Sequence, residues 1–115
     1  MVVKKEQMTH EVRNAWRGGE GAPEITHLCP EKKPEGWRFM SVVDFLPGES
    51  IGDHVHSGET ELYYVLEGEG TVIDNGVPVM VTAGDAIITG NGAGHSIKNT
   101  GKDKLSILAI VVNDR

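Results

Sequence analysis

The chain has 115 residues and a formal net charge of −6, from 11 Lys and Arg against 17 Asp and Glu. This length predicts one compact domain, and the charge argues against nucleic acid or an anionic membrane as a partner. The sequence has no apolar run near the ~18 residues of a membrane span and no apolar leader. Its one cysteine, Cys29, excludes an internal disulfide. We therefore expect a cytoplasmic protein.

Residues 1–36 are expected to form an N-terminal extension, either packed on the main domain or exchanged between two copies. Residues 1–16 read as a helical or extended leader, and residues 17–23 as a flexible turn before a short strand at 24–28. Residues 29–36 hold two prolines and a glycine, which do not fit inside a strand ladder. This loop separates the extension from the rest of the chain.

Residues 37–115 are expected to form one domain of short strands. Twelve of the 15 glycines lie in this part or at its border, from Gly36 onward, a spacing typical of strands joined by tight turns. The predicted strands are 37–46, 54–56 after a break at Gly52, 61–66, 71–73, 77–82, 86–89, 95–99 and 105–112. Asn75-Gly76 predicts a type I′ hairpin turn. Strands every 8 to 12 residues without helices predict an all-β sandwich, jelly roll or small barrel.

Three histidines and a glutamate stand out as candidate metal ligands. His54 and His56 project from the same face of a strand, Glu61 opens the next strand, and His95 reaches that face only through the fold. This mixed nitrogen and oxygen set suits one divalent transition metal per chain, which would be Mn, Fe, Co, Ni or Zn. Taken singly, each of these residues is more often an ordinary structural residue, so a polar cluster without metal is the alternative.

The glycines around these four residues resemble the two motifs of the cupin superfamily. The first motif, G(x)5HxH(x)3-4E(x)6G, is matched by Gly48, His54, His56, Glu61 and Gly68. The second, G(x)5PxG(x)2H(x)3N, is matched by Gly84, Gly92, His95 and Asn99, with Gly90 in place of the usual proline. The resemblance spans residues 48–99 and implies a single cupin β-barrel, or jelly roll, over residues 37–115.

The resemblance also implies the ligand set, because cupins bind one metal ion through these motif positions. Carried over by position, the ligands are His54, His56, Glu61 and His95. Glu59 is the competing acid, but the motif spacing selects Glu61, which leaves Glu59 as a solvated loop charge or, alternatively, a lid acid. Four protein ligands leave one or two positions of the ion open, as in a catalytic site.

Three further residues are candidates for the pocket. Tyr63 shares a face with Glu61 and is either a hydrogen-bond donor there or a core residue. Asn99 shares a face with His95 and either lines the pocket or stabilises a turn. Arg38 either binds an anion or lies at the sheet edge with its charge in solvent. His10 and His27 fall outside both motifs and are treated as ordinary residues.

The resemblance extends to small single-domain bacterial cupins described as oxalate decarboxylase-like. Oxalate-handling cupins usually carry an arginine just before the histidine pair, whereas residues 49–53 here hold no cation. The first hypothesis is therefore a metal-dependent lyase, isomerase or dioxygenase acting on a small carboxylate, keto acid or sugar derivative. The second is a non-catalytic, metal-dependent module that binds or senses a small molecule. Single-domain cupins commonly pair, so the resemblance also implies a homodimer.

Overall fold

The structure is a computed structural model that describes residues 1–114, and it is built from two antiparallel sheets. Its strands are β1 (Thr9–Val12), β2 (Glu24–His27), β3 (Trp37–Phe45), β4 (Ser50–Val55), β5 (Glu59–Glu67), β6 (Glu69–Asp74), β7 (Val77–Thr82), β8 (Ala86–Thr89), β9 (Gly94–Lys98) and β10 (Leu105–Asn113). Short 3-10 turns cover Lys5–Gln7 and Trp16–Gly18. The all-β jelly-roll prediction is confirmed. Within residues 1–114, no helix is long and apolar enough to cross a membrane.

One sheet has six strands in the order β1-β2-β3-β10-β5-β8, and the other has four in the order β4-β9-β6-β7. The core lies between them and is filled by alternate residues of the strands. On β5, Glu61, Tyr63 and Val65 are buried, whereas Tyr64 and Leu66 on the opposite face are exposed, as the alternation predicted. The largely apolar β10 lies in the middle of its sheet, between β3 and β5.

The predicted hairpin and several strand limits can be compared directly with the structure. Asn75 and Gly76 both have positive φ, at 47° and 89°, as the type I′ turn between β6 and β7 requires. Four strands, however, begin earlier than predicted: β4 at Ser50, β5 at Glu59, β6 at Glu69 and β9 at Gly94. Gly52 does not break β4. It lies where the register against β9 shifts, so the glycine accommodates a bulge inside the strand.

The leader and turn before β2 are more ordered than the sequence indicated. β1 pairs with β2, which in turn pairs with β3, so both strands continue the six-stranded sheet. Residues 13–23, which connect β1 to β2, cross to the other sheet and lie against β4; we call this segment the strap. It is attached by a hydrogen bond from the Ser50 amide to the Glu20 carbonyl (3.0 Å) and another from the Glu20 amide to Ser50 Oγ (2.8 Å).

The strap and β4 approach so closely that neither backbone leaves room for a side chain. A Cβ placed on Gly52 would lie 2.1 Å from the carbonyl oxygen of Arg17, and one on Gly19 would lie 2.3 Å from the carbonyl oxygen of Ser50. Glycine is therefore required at both positions. The contact places Arg13, Trp16 and Arg17 of the strap in the lining of one cavity with His54 and His56.

Candidate metal centre

The fold brings the four predicted ligands together, and we call His54, His56, Glu61 and His95 the four-residue cluster. His54 and His95 are directly paired across β4 and β9, while His56 follows the end of β4. Glu61 enters from β5 in the opposite sheet. The ligand atoms all lie within 4.8 Å of one another, and His56, Glu61 and His95 are buried. The cluster therefore bridges the two sheets at one end of the core.

The spacing of the ligand atoms is that of donors around one ion. Nε2 of His95 lies 2.9 Å from Nε2 of His54, 3.1 Å from Nε2 of His56 and 3.0 Å from Oε1 of Glu61. The same Oε1 lies 2.8 Å from Nε2 of His56 and 3.6 Å from Nε2 of His54. Two donors bound ~2.1 Å from a metal ion at right angles are ~3.0 Å apart. The cluster thus fits a single cation.

The other ring nitrogen of each imidazole is held by a partner outside the cluster. The partners are the carbonyl oxygen of Gly52 for His54 (2.8 Å), Oε1 of Glu59 for His56 (2.9 Å) and Oγ1 of Thr89 for His95 (2.9 Å). A carbonyl and a carboxylate only accept hydrogen bonds, so neutral His54 and His56 carry their protons on Nδ1 and turn bare Nε2 atoms inward. Lone pairs converging beside a carboxylate require a positive charge between them, which is the arrangement of histidine ligands in metal sites.

The ionisation of the cluster also suits a cation. Burial alone would raise the pKa of Glu61, but the neighbouring imidazoles of His54, His95 and His56 outweigh it and bring the pKa to about 2. Burial lowers the pKa of His95, against the opposing effect of the Glu61 charge. At neutral pH the cluster therefore offers an ionised carboxylate and an uncharged His95.

Tyr63 and Asn99, the two candidates that share faces with the ligands, have different surroundings. The Tyr63 ring is buried and stacks on His95, with centroids 4.6 Å apart and planes 7° from parallel, and it also lines the cavity beside the cluster. Burial, followed by the charge of Glu61, raises the pKa of Tyr63 well above its ordinary value, so its hydroxyl stays protonated.

Asn99 is buried in the turn after β9. Its amide donates to the carbonyl oxygens of Phe45 (2.9 Å) and Asp103 (2.8 Å), and its side-chain oxygen accepts from the Gly101 amide (3.0 Å). These contacts are those of a turn-stabilising residue. Asn99 is not among the residues that line the cavity beside the cluster.

A cavity of about 170 Å³ opens beside the four-residue cluster. This volume is small beside the ~300–1,000 Å³ of sites for drug-sized ligands, so the cavity suits a small molecule. Three arginines line it together with Glu59 and Glu61; they are Arg13, Arg17 and Arg38. Although the whole chain is negatively charged, this wall carries more positive than negative side chains.

Two of these arginines already have a carboxylate partner. Arg38 forms an ion pair with Glu59. Arg13 forms one with Glu11 at 2.7 Å, and its guanidinium lies 4.6 Å above the Trp16 ring. Arg38 was a sequence candidate, but the strap arginines were not, because residues 1–23 show no periodicity that would place them.

Glu59 corrects an expectation. Of its two predicted roles, that of a solvated loop charge is wrong, because Glu59 lies on β5, lines the cavity and has a side chain that is only 14% exposed. Its two oxygens contact His56 and Arg38. Because β5 begins two residues earlier than predicted, Glu59 shares the inward face with Glu61 and Tyr63. Strand alternation extended backward from Glu61 would have revealed it.

The two remaining histidines lie away from the cluster. His10 contacts Thr26 at 3.0 Å, and His27 contacts Glu11 at 2.6 Å, both within the β1–β2 hairpin. Within residues 1–114, the four-residue cluster is the single group of histidine, cysteine and acidic side chains arranged to hold an ion.

The chain is similar in sequence and fold to several known proteins. The family model described as "Cupin domain" matches residues 41–111. An oxalate-binding protein of Thermotoga maritima is 41% identical over 113 residues, covering 97% of this chain and 93% of the relative. The crystal structure of a T. maritima protein described as a predicted oxalate decarboxylase is 40% identical, covers 99% of this chain and 100% of that one, and superposes with a TM-score of 0.90. The cupin domain of Schizosaccharomyces pombe Cnp3, at 17% identity, covers 90% of this chain and 69% of that one, and shares the fold with a TM-score of 0.73.

Proposed function

This chain belongs to the cupin family, and from that premise we propose that its four-residue cluster holds one divalent transition-metal ion and that the adjacent cavity binds a small carboxylate. The observation that carries the proposal is the arrangement of the imidazoles. Their Nδ1 atoms are held from outside, and their Nε2 atoms converge on one carboxylate oxygen of Glu61. Hydrogen bonding alone does not account for this arrangement. Nε2 of His95 has three polar neighbours within 3.1 Å, but a ring nitrogen can form only one hydrogen bond.

The cavity supports an anionic ligand. Three arginines outweigh the two glutamates of its wall, and a bound divalent cation adds further positive charge. Guanidinium groups bind carboxylates through paired hydrogen bonds, and the small volume limits the ligand to a few heavy atoms. The name of the T. maritima oxalate-binding protein makes oxalate the first ligand to test.

A divalent ion in the cluster would supply a Lewis acid that polarises a carboxylate or carbonyl oxygen, or a redox centre. The protein's own contribution is to fix the ligands. Gly52, Glu59 and Thr89 hold the imidazoles in orientation, and Tyr63 packs against His95 on its buried side. Among suitable ions we take Mn(II) as the first to test.

The proposal is tested by titrating oxalate into protein loaded with Mn(II), followed by calorimetry. We expect binding to the loaded protein and none to protein stripped by a chelator. Ethylene glycol, a neutral molecule of similar size, serves as the control and is expected not to bind. Equal oxalate binding with and without metal would contradict the proposal.

Turnover of the bound carboxylate is the second candidate function, as a lyase, isomerase or dioxygenase. It is favoured by Glu59 and Tyr63, two proton-bearing or proton-accepting groups beside the cluster that are not in the ligand set. Both oxygens of Glu59 have a partner, Arg38 on one and His56 on the other. Proton and carbon NMR of loaded protein incubated with oxalate or a keto acid would reveal any product.

We also propose that the chain forms a homodimer. In the described chain, β1 is the outer strand of the six-stranded sheet, and an outer strand presents unpaired amides and carbonyls that a second copy can pair. Light scattering at micromolar concentration is expected to give the mass of two chains. A mass of one chain would contradict this.

A further inference from the structure

We infer that Arg17 is the specificity-determining residue of the cavity and selects ligands that carry a second carboxylate. This rests on the proposed function, since it assumes that a small carboxylate binds beside a metal ion in the cluster. Arg17 lies in the strap, outside both sequence motifs, and its side chain lines the cavity.

Arg17 differs from the other two arginines in its charge partners. Arg13 is paired with Glu11, and Arg38 with Glu59, so each guanidinium already has a carboxylate beside it. No ion pair joins Arg17 to any acidic residue in the stretch from 1 to 114. Its charge therefore remains available to an incoming anion.

The backbone of Arg17 is held in an uncommon conformation. Its φ of 55° and ψ of 31° lie in the left-handed region, as do those of Ala15, at 50° and 44°. Glycine adopts this region without strain, whereas a residue with a Cβ is strained in it. Two such residues in one turn at a cavity wall are typical of a segment that fixes a ligand-binding side chain.

The position of Arg17 is tied to the metal cluster through Gly52. The Arg17 carbonyl lies against Gly52 so closely that a Cβ on Gly52 would meet it at 2.1 Å. The carbonyl oxygen of the same Gly52 accepts the hydrogen bond from Nδ1 of His54. Gly52 thus contacts both the backbone of Arg17 and the imidazole of His54.

The chemistry of small dicarboxylates fits this placement. Oxalate can chelate a metal ion with one oxygen from each carboxylate, which leaves two outer oxygens facing away from the ion. A guanidinium is a planar donor fork that pairs with such oxygens. Oxamate, in which an amide replaces one carboxylate, keeps two chelating oxygens but presents an NH₂ donor where an acceptor is needed.

The test measures oxalate and oxamate binding to Mn(II)-loaded wild-type protein and to Arg17→Gln. Glutamine keeps the Cβ and hence the backbone strain, so the variant differs mainly in charge. We expect Arg17→Gln to weaken oxalate binding about 10- to 100-fold and oxamate binding less than about 3-fold. Arg17→Lys, which keeps the charge but not the fork, is expected to lie between the wild type and Arg17→Gln for oxalate.

Lys104→Gln is the matched control, because Lys104 is an exposed cation paired with Glu67 and is not part of the cavity wall. It is expected to bind both ligands as the wild type does.

Equal losses for oxalate and oxamate, or no loss for either, in Arg17→Gln would overturn the inference. Manganese uptake is measured for every variant. A wild type that takes up no metal would instead overturn the proposed function, so the two failures are distinguishable. Should Arg17→Gln fail to fold, wild-type oxalate affinity in Arg17→Lys would overturn the inference.

Discussion

Nδ1 of His56 lies 2.9 Å from Oε1 of Glu59, and the second oxygen of that carboxylate contacts Arg38. The side chains of Arg38, Glu59 and His56 are therefore linked in series. The first lies at the cavity wall, and the last turns its Nε2 toward the metal site. A carboxylate behind a histidine ligand fixes the ring and raises the basicity of the opposite nitrogen. Glu59 is in this sense a positioning residue for the cluster.

Replacing Glu59 by Gln is expected to weaken Mn(II) affinity about 10-fold, because the amide can still orient His56 but lacks the negative charge. Glu59→Ala, which removes orientation as well, is expected to lose up to about 100-fold. Competition with a chelator of known affinity measures both. Glu67→Gln, at an exposed pair with Lys104, is the control. Unchanged metal affinity in both Glu59 variants would show that Glu59 does not position His56 for metal binding.

Metal affinity is expected to fall as the pH drops through the histidine range. Because the pKa of Glu61 is about 2, its carboxylate stays ionised between pH 8 and pH 5 and does not cause the change. Burial lowers the pKa of His95, so protons compete at that nitrogen only below about 6.5. We expect little change from pH 8 to pH 7 and a loss of affinity between pH 6.5 and pH 5. Calorimetric titration at pH 8, pH 7 and pH 5 is the measurement, and equal affinity at pH 8 and pH 5 would contradict the ligand assignment.

Asn99→Ala is expected to destabilise the fold and leave metal affinity unchanged. The variant strips hydrogen bonds from the buried carbonyl of Phe45 and from the turn at residues 99–103, at a cost of about 2–4 kcal/mol in free energy of unfolding. Urea unfolding measures the loss, with the exposed Asn113→Ala as the control. A variant of normal stability but with altered oxalate binding would place Asn99 in the pocket instead.

Gly52→Ala is expected to lower the free energy of unfolding by at least ~1–3 kcal/mol, because the new Cβ would lie 2.1 Å from the Arg17 carbonyl oxygen. Gly94→Ala, on the paired strand β9, is the control, since its nearest neighbour would be 3.3 Å away. Urea unfolding of metal-free protein compares the two. Equal stability of both variants would show that the strap does not lie against β4 in solution.

The strands from β2 onward and the four-residue cluster were predictable because their signals are local. Glycines mark the turns, and His54, His56 and Glu61 lie within eight residues of one another. His95 is distant along the chain and joins the other three only through the fold, but the second motif identified it as a ligand. The Asn75-Gly76 turn was likewise fixed by residue chemistry, since both positions need positive φ.

The two strap arginines of the cavity wall were not predictable, because their positions depend on tertiary contacts. Arg13 and Arg17 lie in a segment without hydrophobic periodicity. They reach the cavity because the strap is hydrogen-bonded to Ser50 and packed on Gly52, more than thirty residues away along the chain. The sequence showed no cation immediately before the histidine pair, and the structure places cations from other elements beside it.

The most direct test of the metal centre is the metal content of the purified protein by elemental analysis, before and after incubation with Mn(II). The wild type and His10→Ala, whose histidine lies in the β1–β2 hairpin, are expected to take up close to one ion per chain. His56→Ala is expected to lose tight binding. Less than stoichiometric metal in the wild type, with no uptake of Mn, Fe, Co, Ni or Zn, would contradict the account.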